Sequence, residues 1–307
     1  MSKERIIIDC DPGVDDAVAI LLAFASPDEL DVMGITTVAG NVALEFTTRN
    51  ALKICELAGR KHVPVYAGCQ HAMFPAPRRA ASVHGSDGLG DIGLANTTIS
   101  KKSQHAVDFI IETVMRYPDE ITLCAIGPMT NIGLALLKEP AIAQKIKKVV
   151  FMGGAAFCPG NTTPAAEFNI WVDPHAAQIM LDSGVQLVMV GLDVTNKAVI
   201  TTDRLNALRI GGTEFGTKVA AMMTSYGNGD PCLHDPCVIA YLLDPSLFEG
   251  VKARVDVECE SLFNRGRTVA VVHEHDRGER NTNCQVISGV DDERLFALLN
   301  TRLLNLC

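Results

Sequence analysis

The chain has 307 residues, of which 48% are hydrophobic and 21% are charged, a composition typical of a folded globular protein. Its formal net charge is -9 and Lys and Arg do not cluster, which argues against a nucleic acid or an anionic membrane as a partner. The first residues do not resemble a signal segment, and no apolar run approaches the ~18 residues needed to cross a bilayer. The ten cysteines do not have the spacing of a disulfide framework. We therefore expect a cytoplasmic protein with reduced, mostly buried thiols.

Strand-like and helix-like segments alternate through the first two thirds of the chain. The predicted strands are 5–9, 30–40, 121–127, 146–154 and 185–193. The predicted helices are 15–25, 44–59, 106–117, 129–138 and 173–184. After residue 195 the pattern becomes more helical, with a strand pair near 252–273 and a closing helix at 291–305. This alternation predicts an α/β fold with an open, mostly parallel, Rossmann-like sheet flanked by helices, in one domain spanning residues 1–307.

Two glycine-containing stretches, 67–103 and 225–233, are predicted to be long loops of the kind that often carry function. Polar side chains also follow several predicted strands. Ligands of open α/β sheets bind beyond the carboxyl ends of the strands, so we expect the site at that edge. The residues concerned there are Asp9, Asp11, Asn41, Ile126, Gly127, Glu167, Asn169 and Asp193.

Four aspartates, Asp9, Asp11, Asp15 and Asp16, lie where the first strand meets the first helix. Helix capping could account for Asp15 or Asp16 but not for all four. Carboxylates this close repel one another unless a positive charge lies between them. Oxygen-only ligation suits Ca2+ or Mg2+, and the spacing is not that of an EF-hand. The segment therefore predicts a site for a hard cation.

Two other interpretations remain open at this point. In an aspartate-nucleophile phosphatase, Asp9 would attack phosphorus and Asp11 would serve as the acid, although Gly13 stands where that family usually has Thr or Val. Alternatively, "CLHDPC" (232–237) offers two thiols and an imidazole as zinc ligands. A fourth zinc ligand is not evident, and the surrounding acids favour a hard ion.

Five segments carry a family resemblance. They are "DCDPGVDDAVAI", "TTVAGNV", "AIGPMTNIGLAL", "MGGAAFCPGNTTPAAEFNIWVDPHAA" and "HDPCVIAYLLDP". In this order and spacing, from about residue 4 to the C-terminus, the chain resembles the nucleoside hydrolases, calcium-dependent enzymes that cleave the N-glycosidic bond of ribonucleosides. His234 before Asp235 resembles the group that accepts inosine, uridine or other pyrimidine nucleosides. The resemblance implies a small-molecule ribonucleoside substrate and a homodimer or homotetramer.

The resemblance also implies roles for individual residues. Ca2+ would be held by the carboxylates of Asp11, Asp16 and Asp235 and by the backbone carbonyl of Ile126. Asp11 would also be the general base, because Ca2+ acidifies its bound water less than Zn2+ does. The residues assigned to the ribose, whose diol suits carboxylates and amides, are Asp15, Asn41, Asn161, Glu167 and Asn169.

Glu167 and Asn169 alternate in "AEFNI", so an extended backbone would place both on one face. Asn161 could instead be a turn residue. The departing base needs a proton, for which His234 and His84 are the candidates, while Tyr226 could close over the base or join the proton path. The alternatives are a structural role for His84 and loop packing for Tyr226. A non-enzyme alternative is a calcium-dependent nucleoside-binding protein that has lost catalysis.

Overall fold

The computed structural model describes residues 3–74, 87–91, 94, 97–210, 214–227, 229–278 and 280–306. In this part of the chain nine strands form one sheet: β1 (Glu4–Cys10), β2 (Leu30–Thr37), β3 (Val65–Ala67), β4 (Ile121–Ala125), β5 (Lys148–Met152), β6 (Leu187–Val190), β7 (Phe248–Val257), β8 (Thr268–Val271) and β9 (Cys284–Val290). The strand order is β3-β2-β1-β4-β5-β6-β9-β7-β8. In this order, the neighbouring strands from β3 through β6 to β9 pair in parallel. Strand β7 pairs antiparallel with both β9 and β8. The predicted open, mostly parallel sheet is confirmed.

Helices connect the strands and cover both faces of the sheet. They are α1 (Val14–Phe24), α2 (Leu44–Leu57), α3 (Ala106–Arg116), α4 (Thr130–Lys138), α5 (Phe168–Val172), α6 (Pro174–Asp182), α7 (Leu192–Thr195), α8 (Thr202–Ile210), α9 (Glu214–Gly227), α10 (Pro236–Leu243), α11 (Glu274–Arg277) and α12 (Asp292–Leu304). Within the described residues, none of these helices has the length and apolar character required to cross a membrane.

The core consists of two apolar layers, one on each face of the sheet. Alternate residues of β1 divide between them: Ile6 and Ile8 pack with α1, α9, α10 and α12, while Ile7 packs with α3, α4 and α6. Burial on both faces explains why the central strands read as continuous apolar runs. The residues of α1 are also all buried, so this helix lacks the solvent-exposed polar face of a surface helix.

The structure departs from the predicted elements in several places. β3 and β9 were not predicted, and β9 lies between β6 and β7 in the middle of the C-terminal half of the sheet. The predicted strand at 185–193 ends at Val190, because Gly191 starts the short helix α7, which carries Asp193. The predicted loop at 225–233 starts later than expected, since α9 continues to Gly227.

Candidate active site

The turn between β1 and α1 forms the floor of the candidate site. The chain leaves β1 after Cys10 and enters α1 at Val14, with Gly13 as the N-cap. Asp16 closes this turn: its Oδ1 accepts from the Asp11 backbone N–H at 3.1 Å and its Oδ2 from the Gly13 N–H at 2.9 Å. An acidic residue in the first turn of a helix also faces the positive end of the helix dipole. The sequence therefore folds locally so that its acids converge.

Three buried carboxylates come together here. Asp15, Asp16 and Asp235 each offer an oxygen, and these atoms all lie within 4.8 Å of one another. Asp235 is the N-cap of α10, which places its carboxyl group beside those of Asp15 and Asp16. Two predicted metal ligands, Asp16 and Asp235, are thus brought together, and Asp15, predicted to bind the ribose, joins them.

Asp11 lies beside this group without being part of it. Its Oδ2 accepts from the Asn41 backbone N–H at 2.6 Å, whereas its buried Oδ1 has no hydrogen-bond partner among the residues that the structure describes. A side chain at Gly40 or Gly127 would collide with this carboxylate, so both glycines leave room for it. The Asn41 amide also donates to the Asp11 carbonyl at 3.1 Å and to Asp16 at 3.3 Å.

The electrostatics of these acids fit a hard cation. Burial, followed by neighbouring carboxylates, raises the pKa of Asp11 and of Asp235 far above the usual range, and raises that of Asp16 to about 8. A divalent cation would offset this repulsion and keep the carboxylates ionised. The grouped ligand atoms are carboxylate oxygens, the ligand type of hard cations such as Ca2+ and Mg2+. The residues present therefore fit a calcium ion.

Glu167 and Asn169 lie on the other side of the β4 end, where the backbone is extended at Glu167, as predicted, but helical from Phe168 onward. Glu167 is the N-cap of α5: it accepts from the N–H groups of Asn169 at 2.8 Å and Ile170 at 3.1 Å, and from Gly154 at 2.9 Å. Asn169 therefore lies in the first helical turn, and its amide donates to the carbonyls of Ile126 at 3.1 Å and Met152 at 3.2 Å. The prediction of an extended backbone was wrong from Phe168 onward, although both side chains reach this edge.

His234 is buried between two polar partners that were not predicted. Its Nδ1 is 2.7 Å from Thr195 Oγ1 and its Nε2 is 3.1 Å from Asp230 Oδ2. Burial by itself lowers the pKa of the imidazole, but the hydrogen bond and charge of Asp230, with Asp15 and Glu167, produce a net increase. Asp230 lies in irregular backbone and Thr195 in the distant helix α7, so no periodic pattern near His234 indicates either partner.

Tyr226 belongs to the last turn of α9 and not to a mobile loop. It is buried, and its hydroxyl donates to Asp15 Oδ2 at 3.3 Å. The next residue back, Ser225, donates to the Gly90 carbonyl at 3.1 Å. The predicted loop therefore starts after Gly227 and not at residue 225, and the contacts of Ser225 and Tyr226 stabilise the last helical turn. The contact with Asp15 brings Tyr226 to the acidic group.

Two predicted site residues stand apart from this constellation. Asn161 is exposed, and its side-chain oxygen accepts from the Phe168 backbone N–H at 3.0 Å, which suits the turn interpretation. Its ribose role stays a prediction. His84 lies outside the described residues, so its role also stays a prediction.

The two alternative chemistries receive no support from the geometry of the described residues. The Cys232 thiol donates to the Asn196 carbonyl and the Cys237 thiol to the Leu233 carbonyl, both at 3.4 Å. Burial raises the pKa of these thiols to about 11 and about 12, which disfavours the thiolate that zinc needs. Asp9 is fully buried and hydrogen bonded to Thr36 and Asn131, so it is poorly placed to attack a phosphate.

An open parallel sheet with acids, amides and a histidine at its carboxyl edge defines an α/β enzyme for a small polar substrate. A family model described as inosine-uridine preferring nucleoside hydrolase matches residues 6–297. The pyrimidine-specific ribonucleoside hydrolase RihA of Citrobacter koseri is 40% identical over 97% of both chains, and the inosine-uridine preferring nucleoside hydrolase of Leishmania major is 38% identical over 96% of both. The purine-preferring ribonucleoside hydrolase from Gardnerella vaginalis has a TM-score of 0.92 at 36% identity, covering 99% of each chain.

The chain belongs to the inosine-uridine preferring nucleoside hydrolase family. It is a ribonucleoside hydrolase, an enzyme that cleaves the N-glycosidic bond, and the resemblance seen in the sequence is confirmed.

Proposed function

We propose that this hydrolase depends on Ca2+ held by the carboxylates of Asp11, Asp16 and Asp235 and by the Ile126 carbonyl. The observation that carries the proposal is the buried group of carboxylate oxygens within 4.8 Å of one another, next to Asp11 Oδ1, for which the described residues provide no hydrogen-bond donor. When bound, the ion would supply positive charge that acidifies a water molecule and orients the ribose hydroxyls. Every other step falls to the residues of the chain.

Asp11 is the proposed general base. The Asn41 N–H fixes one carboxylate oxygen at 2.6 Å, which leaves Oδ1 as the atom able to accept a proton from the attacking water. A base held in one orientation by its second oxygen needs little reorganisation when the proton moves. Asp11 is therefore proposed as both ligand and base.

The ribose is proposed to lie among Asp15, Asn41, Glu167 and Asn169. Asp15 and Asn41 reach the acidic group, while Asn169 touches the Ile126 carbonyl. Cleavage gives the sugar oxocarbenium character, and surrounding carboxylates stabilise that charge. A deoxyribose would leave buried polar groups unpaired at a cost of about 1–3 kcal/mol each, so we expect a preference for ribonucleosides.

His234 is the proposed acid for the departing base. Its Nε2 is held by Asp230 and its Nδ1 by Thr195, so the ring is fixed in a buried position next to Asp235. The hydrogen bond and charge of Asp230 outweigh the effect of burial and raise the pKa of the imidazole, which favours its protonated form. Tyr226, in contact with Asp15, is proposed to border the base.

We propose that the enzyme accepts inosine, uridine or other pyrimidine nucleosides, because His234 before Asp235 resembles the group with that preference. The relatives named above differ in their printed preferences, pyrimidine-specific in one and purine-preferring in another. Ranking inosine, adenosine, uridine and cytidine by kcat/KM tests the preference directly. Cytoplasmic location and assembly as a homodimer or homotetramer stay predictions.

The metal proposal is tested by stripping the enzyme with a calcium-selective chelator and following release of free ribose. We expect activity to disappear and to return with Ca2+. Full activity after stripping, or restoration by Zn2+ alone, would contradict the proposal.

A further inference from the structure

Asp9 is a buried acid that the proposed mechanism does not use. It is 1% exposed and lies in β1, two residues before Asp11. Its Oδ1 accepts from Thr36 Oγ1 at 2.5 Å and from Asn131 Nδ2 at 2.8 Å, while its buried Oδ2 has no hydrogen-bond partner in the described part of the chain. Burying a carboxylate with one oxygen unpaired is costly, so its presence here calls for a local function.

Asn131 meets Asp9 from α4 and uses all its polar atoms. Its Nδ2 donates to Asp9 and also to the Thr37 carbonyl at 3.1 Å, and its Oδ1 accepts from the Cys69 backbone N–H at 2.9 Å. A side chain at Gly68 would collide with this amide, which shows how closely it fits. One side chain therefore ties α4 to the ends of β1 and β2 and to the segment after β3.

The segments joined in this way carry the proposed metal ligands. The Asp9 carbonyl accepts from the Ile126 N–H at 2.8 Å, so the same residue fixes the backbone whose carbonyl is a proposed ligand. Asp11 follows Asp9 two positions along the chain, and Asn41, which holds Asp11, follows the Thr37 end of β2. Displacing Asp9 or Asn131 would therefore shift both the Ile126 carbonyl and the Asp11 carboxylate.

We propose that Asp9 and Asn131 are a positioning pair that sets the geometry of the cation site, and that the hydrogen bond between them, not the charge of Asp9, is what matters. This inference rests on the proposed role of Asp11 and Ile126 as cation ligands. Groups that orient metal ligands from behind typically account for about 10–100-fold in metal affinity.

Three variants separate geometry from charge. Asp9→Asn keeps an oxygen that can accept from Thr36 and Asn131, and its new amide nitrogen takes the place of Oδ2. Asn131→Asp places two carboxylates against each other and removes the donor. The double variant Asp9→Asn with Asn131→Asp restores the hydrogen bond in the reverse direction, because the new amide at position 9 can donate to the new carboxylate at position 131.

The matched control is Asn283→Asp. Asn283 also ties backbone groups together, donating to the carbonyls of Leu181 at 3.0 Å and Val255 at 2.9 Å and accepting from the Val255 N–H at 2.8 Å. It precedes β9, far along the chain from the acidic turn, and these hydrogen bonds are with residues other than the proposed ligands. Its substitution should destabilise the fold without changing the affinity for Ca2+.

Calcium binding by calorimetry, thermal unfolding and steady-state kinetics are measured on all four variants and the wild type. We expect Asn131→Asp to weaken Ca2+ binding by about 10–100-fold, Asp9→Asn to stay within about threefold, and the double variant to recover part of the loss. Circular dichroism establishes that each variant is folded before binding is compared.

Two results would overturn the inference: Ca2+ affinity of Asn131→Asp equal to that of the wild type, or a loss in Asp9→Asn as large as in Asn131→Asp. A loss of the same size in Asn283→Asp would also overturn it, since general destabilisation would then explain the effect. Failure of the proposed function is distinguishable, because the wild type itself would then bind no Ca2+.

Discussion

Two sets of buried carboxylates in this enzyme differ in how their oxygens are satisfied. Asp173 accepts from Thr130 Oγ1 at 2.7 Å, from the Met73 N–H at 2.9 Å and from the Ala176 N–H at 3.2 Å. Asp193 accepts from the N–H groups of Ala156 and Phe157, both at 2.7 Å. These acids fasten loops to the fold, and the protein itself provides the donors they use.

The acids at the β1–α1 turn are arranged differently. Within the residues that the structure describes, Asp11 has one oxygen without a hydrogen-bond partner, and carboxylate oxygens of Asp15, Asp16 and Asp235 lie within 4.8 Å of one another. Asp173 and Asp193 each lie among donors that the protein supplies, whereas the acidic turn leaves Asp11 Oδ1 unpaired among the described residues and places several buried carboxylates side by side. Buried carboxylates that lie next to one another repel unless a positive charge lies between them, whereas an isolated carboxylate among donors has no such need.

The largest expected effect comes from Asp11→Asn. The amide can still accept from the Asn41 N–H, so the fold should persist, while loss of the base should lower kcat by about 10²–10⁴-fold. Single-turnover ribose release measures the chemical step, and thermal unfolding is the control for stability. A variant with nearly normal kcat would remove Asp11 from the role of base.

His234→Ala should slow inosine hydrolysis by roughly 10²-fold or more, because the departing base loses its proton donor. The same variant should cleave a riboside with an activated phenolate leaving group almost as well as the wild type, since that group leaves without a proton. Comparing kcat/KM for both substrates separates the two roles. Equal losses would mean that His234 positions Asp235 or the Asp230 segment instead.

Asp173→Ala should lower stability and leave the Ca2+ site intact, whereas Asp11→Asn should lower kcat and leave the fold intact. Removal of its carboxylate leaves Thr130 and the Met73 and Ala176 N–H groups without their acceptor, so we expect the free energy of unfolding to fall by about 2–4 kcal/mol. Urea denaturation measures this loss. The Ca2+ affinity of the folded variant should remain that of the wild type. A large decrease in this affinity would contradict the assignment of Asp173 to a purely structural role.

A smaller effect is expected for Glu4→Gln at the opposite end of β1. Burial raises the pKa of Glu4, but the Thr122 hydrogen bond and then Lys148 and Lys147 outweigh it, so the net pKa lies below 4.5. A carboxyl group with a lowered pKa stabilises the fold above its unfolded pKa, and this contribution is lost as the pH falls through the folded pKa. Urea denaturation should show a loss of about 0.5–1 kcal/mol at pH 7 that shrinks below pH 4.5, and a constant difference would contradict the assignment.

Much of the fold and the acidic turn could be predicted because their signals are local. The apolar run of β1 and the acids of the first turn of α1 are contiguous, and alternation of strands and helices leads to a parallel sheet. The helix α5 lacked such a signal: its N-cap is Glu167 in place of the usual Ser, Thr, Asp or Asn, and its "FNIWV" favours a strand.

The parts that could not be predicted depend on contacts between distant segments. The hydrogen bond from Asn131 to Asp9 spans 122 positions, and that from Tyr226 to Asp15 spans 211. An asparagine within the mostly apolar helix α4 was a signal that could have been noticed. Strand β9 was missed because its seven residues follow a polar stretch and pair with strands remote in sequence.

The position of β9 has a consequence for the order of events during synthesis. The ribosome releases β7 and β8 before β9, yet β9 is the strand that joins them to β6. Until residues 284–290 emerge, the antiparallel pair β7–β8 has no strand to pair with. The edge of β6 is then exposed and could pair with the wrong strand. The nascent chain thus holds an incomplete sheet until residues 284–290 emerge, and among the described strands the last in chain order is the one that joins the two parts of the sheet.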